Sequence, residues 1–225
     1  MKHYKRGFFT SVFTFFIISS TVYAQQEMNN SIYQKKYTNS DFYKNGVFQK
    51  DIAKKAVREM LIAHGEEFTE KIDSDIWISD FGLGDYEHVG LASVTWFNDS
   101  MYHYFVMTMY LLPGQMIPEH IHKPVLTAPA VPAKYESWRV ISGWIYNFSE
   151  IGEETPNPPD IPVSFGKVIS KNFSIVNAGE TQSLKKTETY HFMMAGPSGA
   201  IVDEYGVYHD RRGWFSSNPK AHPTN

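Results

Sequence analysis

The run Leu112-Pro-Gly-Gln-Met-Ile-Pro-Glu-His120-Ile-His122 decides how the rest of the chain is read. Pro113-Gly114 marks a turn, and the alternation after Pro118 has the period of two that a strand requires. Successive side chains on a strand alternate faces, so His120 and His122 point the same way and lie close enough to share one ion. Glu119 and Ile121 point the other way, which makes Glu119 a supporting or surface carboxylate rather than a ligand. A His-x-His pair is weak evidence by itself, and the framing gives it weight. Five residues separate Gly114 from His120, and further on six residues separate Glu136 from Gly143 in Tyr-Glu136-Ser-Trp-Arg-Val-Ile-Ser-Gly143. Later still, Gly179-Glu-Thr leads to Thr189-Tyr-His191, a third imidazole. Three imidazoles and one carboxylate suit a divalent first-row metal, with positions left open for water or substrate oxygens.

Outward from this stretch, the texture is that of short strands. Ile76–Ile78, Val89–Phe97, Tyr102–Leu112, Ser137–Phe148, Gly166–Val176, Tyr190–Met194 and Ala200–Val207 are rich in β-branched and aromatic residues. Turn formers such as Gly82-Leu-Gly84 and Asn98-Asp-Ser100 bound them. With no helices interleaved, they predict an all-β barrel or sandwich. Before them, Phe48, Ile52, Val57, Met60, Leu61 and Phe68 recur mostly at helical steps, which predicts one or two amphipathic helices punctuated at Gly65 and packed outside the barrel. Pro-rich stretches at 123–133 and 155–162 read as long loops. A flexible leader is expected over 25–45, the barrel with its helices over 46–215, and a loose polar tail over 216–225.

The chain has 225 residues, no cysteine, a net charge of −3 and 16% aromatic residues. These exclude thiol chemistry, disulfide scaffolds and a predominantly disordered chain, and they give no basic face for nucleic acid. Lys2, Lys5 and Arg6 precede an apolar run from Phe8 to Ile18, and Val22-Tyr-Ala24 follows with small residues where a signal peptidase reads. That pattern predicts a cleaved signal peptide over 1–24 and a secreted or periplasmic protein, with no membrane association after cleavage.

The Gly114, His120, His122, Glu136 and Gly143 pattern resembles the first signature of the cupins, and the segment ending in His191 resembles a degenerate second one. The resemblance implies a jelly-roll β-barrel, here with an N-terminal α-helical cap. More closely, Ser79-Asp-Phe-Gly-Leu-Gly84, Leu112-Pro-Gly-Gln115, Pro118-Glu-His-Ile-His122, Lys134-Tyr-Glu-Ser-Trp-Arg139, Gly143-Trp-Ile-Tyr146 and Tyr190-His-Phe-Met-Met-Ala-Gly196 with Gly199-Ala-Ile-Val-Asp-Glu204 resemble the D-lyxose isomerase family of cupins. That resemblance implies His120, His122, Glu136 and His191 as ligands of a divalent metal, Mn2+ first, with Fe2+, Co2+, Zn2+ and Ni2+ compatible. It implies a small-molecule sugar substrate of the D-lyxose/D-xylulose or D-mannose/D-fructose type, isomerised through a cis-enediol, and a homodimer. Glu204 is the expected base and Lys134 an expected donor to a substrate oxygen, while Arg139, of opposite parity, is structural. Family members carry a lysine on the strand before the Pro-Gly-Gln turn, where this chain has Met107.

Two other readings share the same ligands: an Fe2+ dioxygenase, and a non-catalytic sugar- or metal-binding cupin. His64 and His88 read as surface residues, and His103 and His209 as packing or rim residues. Tyr110, Trp138, Trp144, Tyr146 and Phe192 are candidates for a sugar-stacking wall, with ordinary barrel core the stronger reading for each.

Overall fold

The computed structural model describes residues 33–224; the signal peptide expected over 1–24 lies outside the described residues. Residues 33–45, expected to be a flexible leader, are packed. Tyr33 and Phe42 are buried, the Tyr37 hydroxyl donates to Glu59 Oε1 at 2.9 Å, and the Tyr43 hydroxyl donates to Asp80 Oδ2 at 2.8 Å. Aromatic side chains gave this polar-looking segment an apolar surface to bury. It forms a short helix, α1 (Asn39–Phe42), and a hairpin of β1 (Tyr43–Lys44) and β2 (Val47–Phe48). Asn45 and Gly46 close the hairpin, both at positive φ, as a two-residue hairpin turn demands.

The helical expectation holds, with the second helix displaced. The first, α2 (Lys50–Ala63), buries Ala53, Ala56, Val57, Met60 and Leu61 along one face. Gly65 ends it at φ +81°, and Glu66 N–H reaches back to Leu61 O at 2.9 Å, a left-handed glycine cap. The second, α3 (Glu70–Asp75), starts past Phe68 because Thr69 Oγ1 caps it by accepting from Ile72 N–H at 3.2 Å.

Beyond α3 the strands are β3 (Trp77–Ser79), β4 (Leu91–Asp99), β5 (Tyr104–Leu111), β6 (His120–His122), β7 (Glu136–Ser149), β8 (Asn172–Asn177), β9 (Thr181–Ser183), β10 (His191–Gly206) and β11 (Trp214–Ser216). They form one curled antiparallel sheet of 9 strands. Two expectations change. The strand expected over 166–176 is loop in its first half, and the two strands expected over 190–207 are one long strand, β10, that bends between Ala195 and Ala200. Along one edge of β10 runs β7. Along the other run β5, then the Pro113-Gly114 turn, then β6, with His191 opposite His120.

The sheet has an inner and an outer core. Inside, Met109, Val140, Ile145, Phe148, Phe192 and Val202 fill the barrel. Outside, α2 lays its buried face on Ala92, Val94, Tyr110 and Ile201. The tail is not loose. Ser217 N–H donates to Glu119 O at 3.2 Å, His222 N–H to Phe81 O at 3.0 Å and Thr224 N–H to Ser79 Oγ at 3.0 Å, so backbone pairing holds a segment whose side chains gave no apolar signal.

At the bend of β10 two glycines face each other. Gly143 has φ +74°, and a Cβ there would run into Gly199 O; Gly114, at φ +71°, has open space around its missing Cβ. Gly114→Ala should therefore cost only the left-handed backbone penalty, about 1–2 kcal/mol. Gly143→Ala should cost about 2–5 kcal/mol, since overpacking adds to it, and urea unfolding midpoints of the two variants measure the difference.

Candidate metal centre and active site

The three histidines and Glu136 come from three strands, β6, β7 and β10. His120 and His122 project from one face of β6, as the period of two requires, and His191 begins β10 in register with His120. Glu136 begins β7, which lies beside the far end of β10 at Gly206. The curl of β7 and β10 carries these distant points together. One donor atom from each of the four buried residues lies within 4.8 Å of every other. Donors about 2.1 Å from one shared ion would stand roughly 3–4 Å apart, so small side-chain rotations complete the fit.

Hydrogen bonds orient two of the rings. His120 Nδ1–H donates to Pro118 O at 2.8 Å and His191 Nδ1–H to Thr189 O at 3.0 Å; both leave Nε2 as a free lone pair. His191 Nε2 stands 2.5 Å from Glu136 Oε1, and His122 Nε2 stands 3.5 Å from Glu136 Oε2. His191 Nε2, Glu136 Oε2 and His122 Nδ1 are buried without an aligned hydrogen-bond partner. Orphaned buried polar atoms are costly in a folded core unless something pairs with them. A divalent ion answers that need, and the buried His/Glu donor set suits one.

The same cluster holds Lys134 and Glu204. Lys134, inward-facing on the approach to β7, places Nζ 2.7 Å from Glu136 Oε2 and in contact with Glu204 Oε1, with the Phe105 ring 4.1 Å away. The electrostatics follow from burial. It pulls His120 down to about 3, with His191 adding to the effect, and drives His122 well below the ordinary imidazole range. Burial would also lower His191, but the Glu136 carboxylate outweighs it and holds that ring above its ordinary value. It would raise Glu136, but Lys134, His122 and His191 outweigh it and hold the carboxyl well below its usual range. Lys134 stays raised because its two carboxylates overcome desolvation. Burial lifts Glu204 to about 7, Lys134 pulling against it and Glu136 adding to it.

A cavity of about 600 Å³ opens onto this cluster, lined among others by His120, His122, Lys134, Glu204 and His209. Its size is that of a small-molecule site. Sequence reasoning missed its aromatic wall: the rings that line it are Trp77, Phe81, Phe105 and Trp214. Trp214 stacks on His120 with centroids 5.5 Å apart; only its place after the polar Asp210-Arg-Arg-Gly213 run gave any signal. Tyr110, Trp138, Trp144 and Phe192 are buried core, and Tyr146 packs against it. Trp138 lies parallel to His191 at 6.3 Å. Met107 lines the cavity directly across the β5–β10 ladder from Glu204.

Other histidines sort by environment. His64, expected at the surface, is half-buried and staples α2 to the barrel. Its Nε2–H donates to Ser198 O at 2.8 Å while Nδ1 accepts from Ser142 Oγ at 2.7 Å. His88 pairs with Asp85 at 2.7 Å, His103 is exposed at the tip of the β4–β5 turn, and His209 packs edge-on to His122 at 5.1 Å. Arg139 is outward and exposed, across from Asp203 in register.

The molecule is thus a cupin-type β-barrel with a buried cluster of three histidines and one glutamate, suited to a divalent metal ion. No protein-family model matches the chain. It is 32% identical over 176 residues to the D-lyxose/D-mannose isomerase of Thermosediminibacter oceani, covering 76% of this chain and 91% of that one. It is also 32% identical over 160 residues to the D-lyxose ketol-isomerase of a Thermofilum species, covering 69% and 83%. Among solved structures, the L-ribose isomerase of Acinetobacter sp. DL28 in complex with L-ribose superposes with a TM-score of 0.54 at 16% identity, over 78% of this chain and 83% of that one. That of Geodermatophilus obscurus gives 0.52 at 14%, over 74% and 87%; at such identities the likeness shows the fold. On its curated relatives, this chain belongs to the D-lyxose ketol-isomerase family.

Glu119 turns away from the cluster, as its parity requires, but it is fully buried rather than at the surface. Its carboxylate accepts Ile169 N–H at 3.0 and 2.9 Å and Ser170 N–H at 2.6 Å, tying the loop before β8 to the back of β6. Glu119→Gln puts an amide donor against those N–H groups. It should destabilise the fold by about 1–3 kcal/mol and speed hydrogen exchange at Ile169 and Ser170.

Proposed function

We propose that this chain is a metal-dependent aldose–ketose isomerase acting on a free sugar of the D-lyxose or D-mannose type. The observation that carries the reading is a juxtaposition: a buried His/Glu cluster, a buried carboxylate and a buried ammonium face one cavity, in a chain whose curated relatives are D-lyxose isomerases.

His120, His122, Glu136 and His191 would hold the ion, and when bound it supplies Lewis acidity toward the sugar's O1 and O2. Glu204 is the base. Its carboxylate takes the C2 proton of the open-chain aldose, the C2–H electron pair forms the C1=C2 bond of a cis-enediol, and the same proton returns to C1. The O2 hydroxyl proton passes to O1 in the same sequence, so atoms and electrons balance without an oxidant. A carboxyl raised to about 7 stays partly ionised at neutral pH yet is basic enough to accept a carbon-bound proton. Lys134, held as an ammonium by two carboxylates, donates to a substrate oxygen as charge develops there.

Manganese is the ion proposed, because three imidazoles and one carboxylate leave a net +1 with open positions for hard oxygen ligands. Export is proposed from the basic and apolar N-terminus followed by Val22-Tyr-Ala24. N-terminal sequencing of the protein recovered outside the cytoplasm should begin at Gln25, and a chain still beginning at Met1 would sink that part.

His120→Ala and Glu136→Ala should each cut bound metal per chain by at least about tenfold and abolish exchange of the sugar's C2 proton with deuterated solvent. Glu204→Gln should keep the metal yet lower kcat by about 10²–10⁴-fold. Full turnover in Glu204→Gln would remove the base from the scheme. Metal analysis beside proton-exchange NMR on a pentose and hexose panel reads all three variants.

A further inference from the structure

Any sugar isomerised at this centre puts its C1 and C2 oxygens at the His/Glu cluster, beside Glu204 and Lys134; the argument from here rests on the isomerase reading. The carbons beyond C2 then meet the rest of the cavity wall. That wall is built from Phe81, Leu91, Met107, Met109, Ile117 and Trp214, all buried except the half-buried Trp214. Phe81 and Trp214 stack with centroids 5.9 Å apart, and Trp214 stacks on His120, so an aromatic face runs unbroken from the cluster to the apolar wall.

The polar side chains that line the cavity away from the cluster are engaged elsewhere or stand at its mouth. Asn98 exchanges two hydrogen bonds with the backbone of His209. Thr224 Oγ1 pairs with Ser79 Oγ at 2.9 Å, and Lys54 donates to Asp73. Lys50, Asp51, Thr95 and Arg211 are exposed residues of the lining. A polar floor is thus followed by an apolar belt and then a polar rim. A sugar hydroxyl carried into the belt gives up its water partners and finds none in exchange, whereas a methyl group gains by leaving water.

We propose that the site selects aldoses whose distal carbon lacks a hydroxyl, with 6-deoxyhexoses as the simplest members. Their terminal methyl packs on the Met107–Met109–Ile117 wall while a C–H face lies over Trp214. Met107 is the specificity-determining residue nearest the chemistry, since it stands across from Glu204 in register.

The test compares matched pairs on the metal-loaded full chain: D-mannose and L-mannose, each beside its 6-deoxy counterpart, read by C2 proton exchange. The 6-deoxy member of the accepted pair should show a kcat/KM about 10–100-fold higher, and saturation-transfer NMR should place the C6 methyl in closest contact with protein protons. Met107→Gln, which sets a donor and an acceptor into the belt, should shrink that ratio by at least about fivefold. Parent hexoses used as well as or better than their 6-deoxy forms would overturn the proposal while leaving the isomerase reading intact. No exchange for any sugar, with metal bound, would overturn both.

Discussion

Where β7 and β10 bend together, the carbonyl of Gly199 fills the space that a side chain at Gly143 would need. Both residues lie in the left-handed region, which glycine enters without the steric cost other residues meet. That contact lets β10 turn within one continuous strand instead of breaking into two. His191 at its start and Glu204 near its end then come to face the same cavity, while β7, paired along β10, delivers Glu136 beside His191. The metal cluster and the proposed base therefore share one geometric origin.

Burial then sets the chemistry. Glu136 and Glu204 are both removed from water and both lean on the ammonium of Lys134. Two buried carboxylates without that cation would repel each other and shed charge by binding protons. With it, Glu136 remains ionised as a ligand should, and Glu204 is held near neutrality. Toward the rings, burial acts with the opposite sign and keeps His120 and His122 as neutral imidazoles, the form in which they offer a lone pair. The Pro118 and Thr189 carbonyls fix which nitrogen turns inward. Behind β6, Glu119 holds the loop before β8, so the ligand strand is fastened on both faces.

Much of this was legible along the chain because it depends on local rules. The alternation at His120-Ile-His122 placed two imidazoles on one face and Glu119 on the other, and period-two parity put Lys134 beside Glu136 and turned Arg139 outward. The spacing of Gly114, Glu136 and Gly143 pointed to the barrel and three of the ligands, and helical spacing with Gly65 found α2. What escaped the sequence reading depends on contacts between distant segments. Ser216–Thr224 looked idle because backbone groups and small hydroxyls, not apolar side chains, hold it. His64 looked superficial because its partners, Ser142 and Ser198, lie far along the chain. The rings first suggested for a sugar wall are core instead, since which face of a curled strand looks into the cavity depends on how the sheet closes.

Composition and periodicity alone determined an all-β chain with early helices, free of thiol chemistry, carrying a His-x-His strand with a carboxylate and a third histidine to match. Those properties reside in residue type and short-range alternation, which a linear string records in full. Tertiary structure alone decided that four donors converge to within 4.8 Å, that Lys134 bridges Glu136 to Glu204, and that Met107, Phe81 and Trp214 line the cavity. Such facts depend on where a bent strand crosses its neighbours. That crossing is fixed by packing and by two facing glycines, and no run of neighbouring residues encodes it.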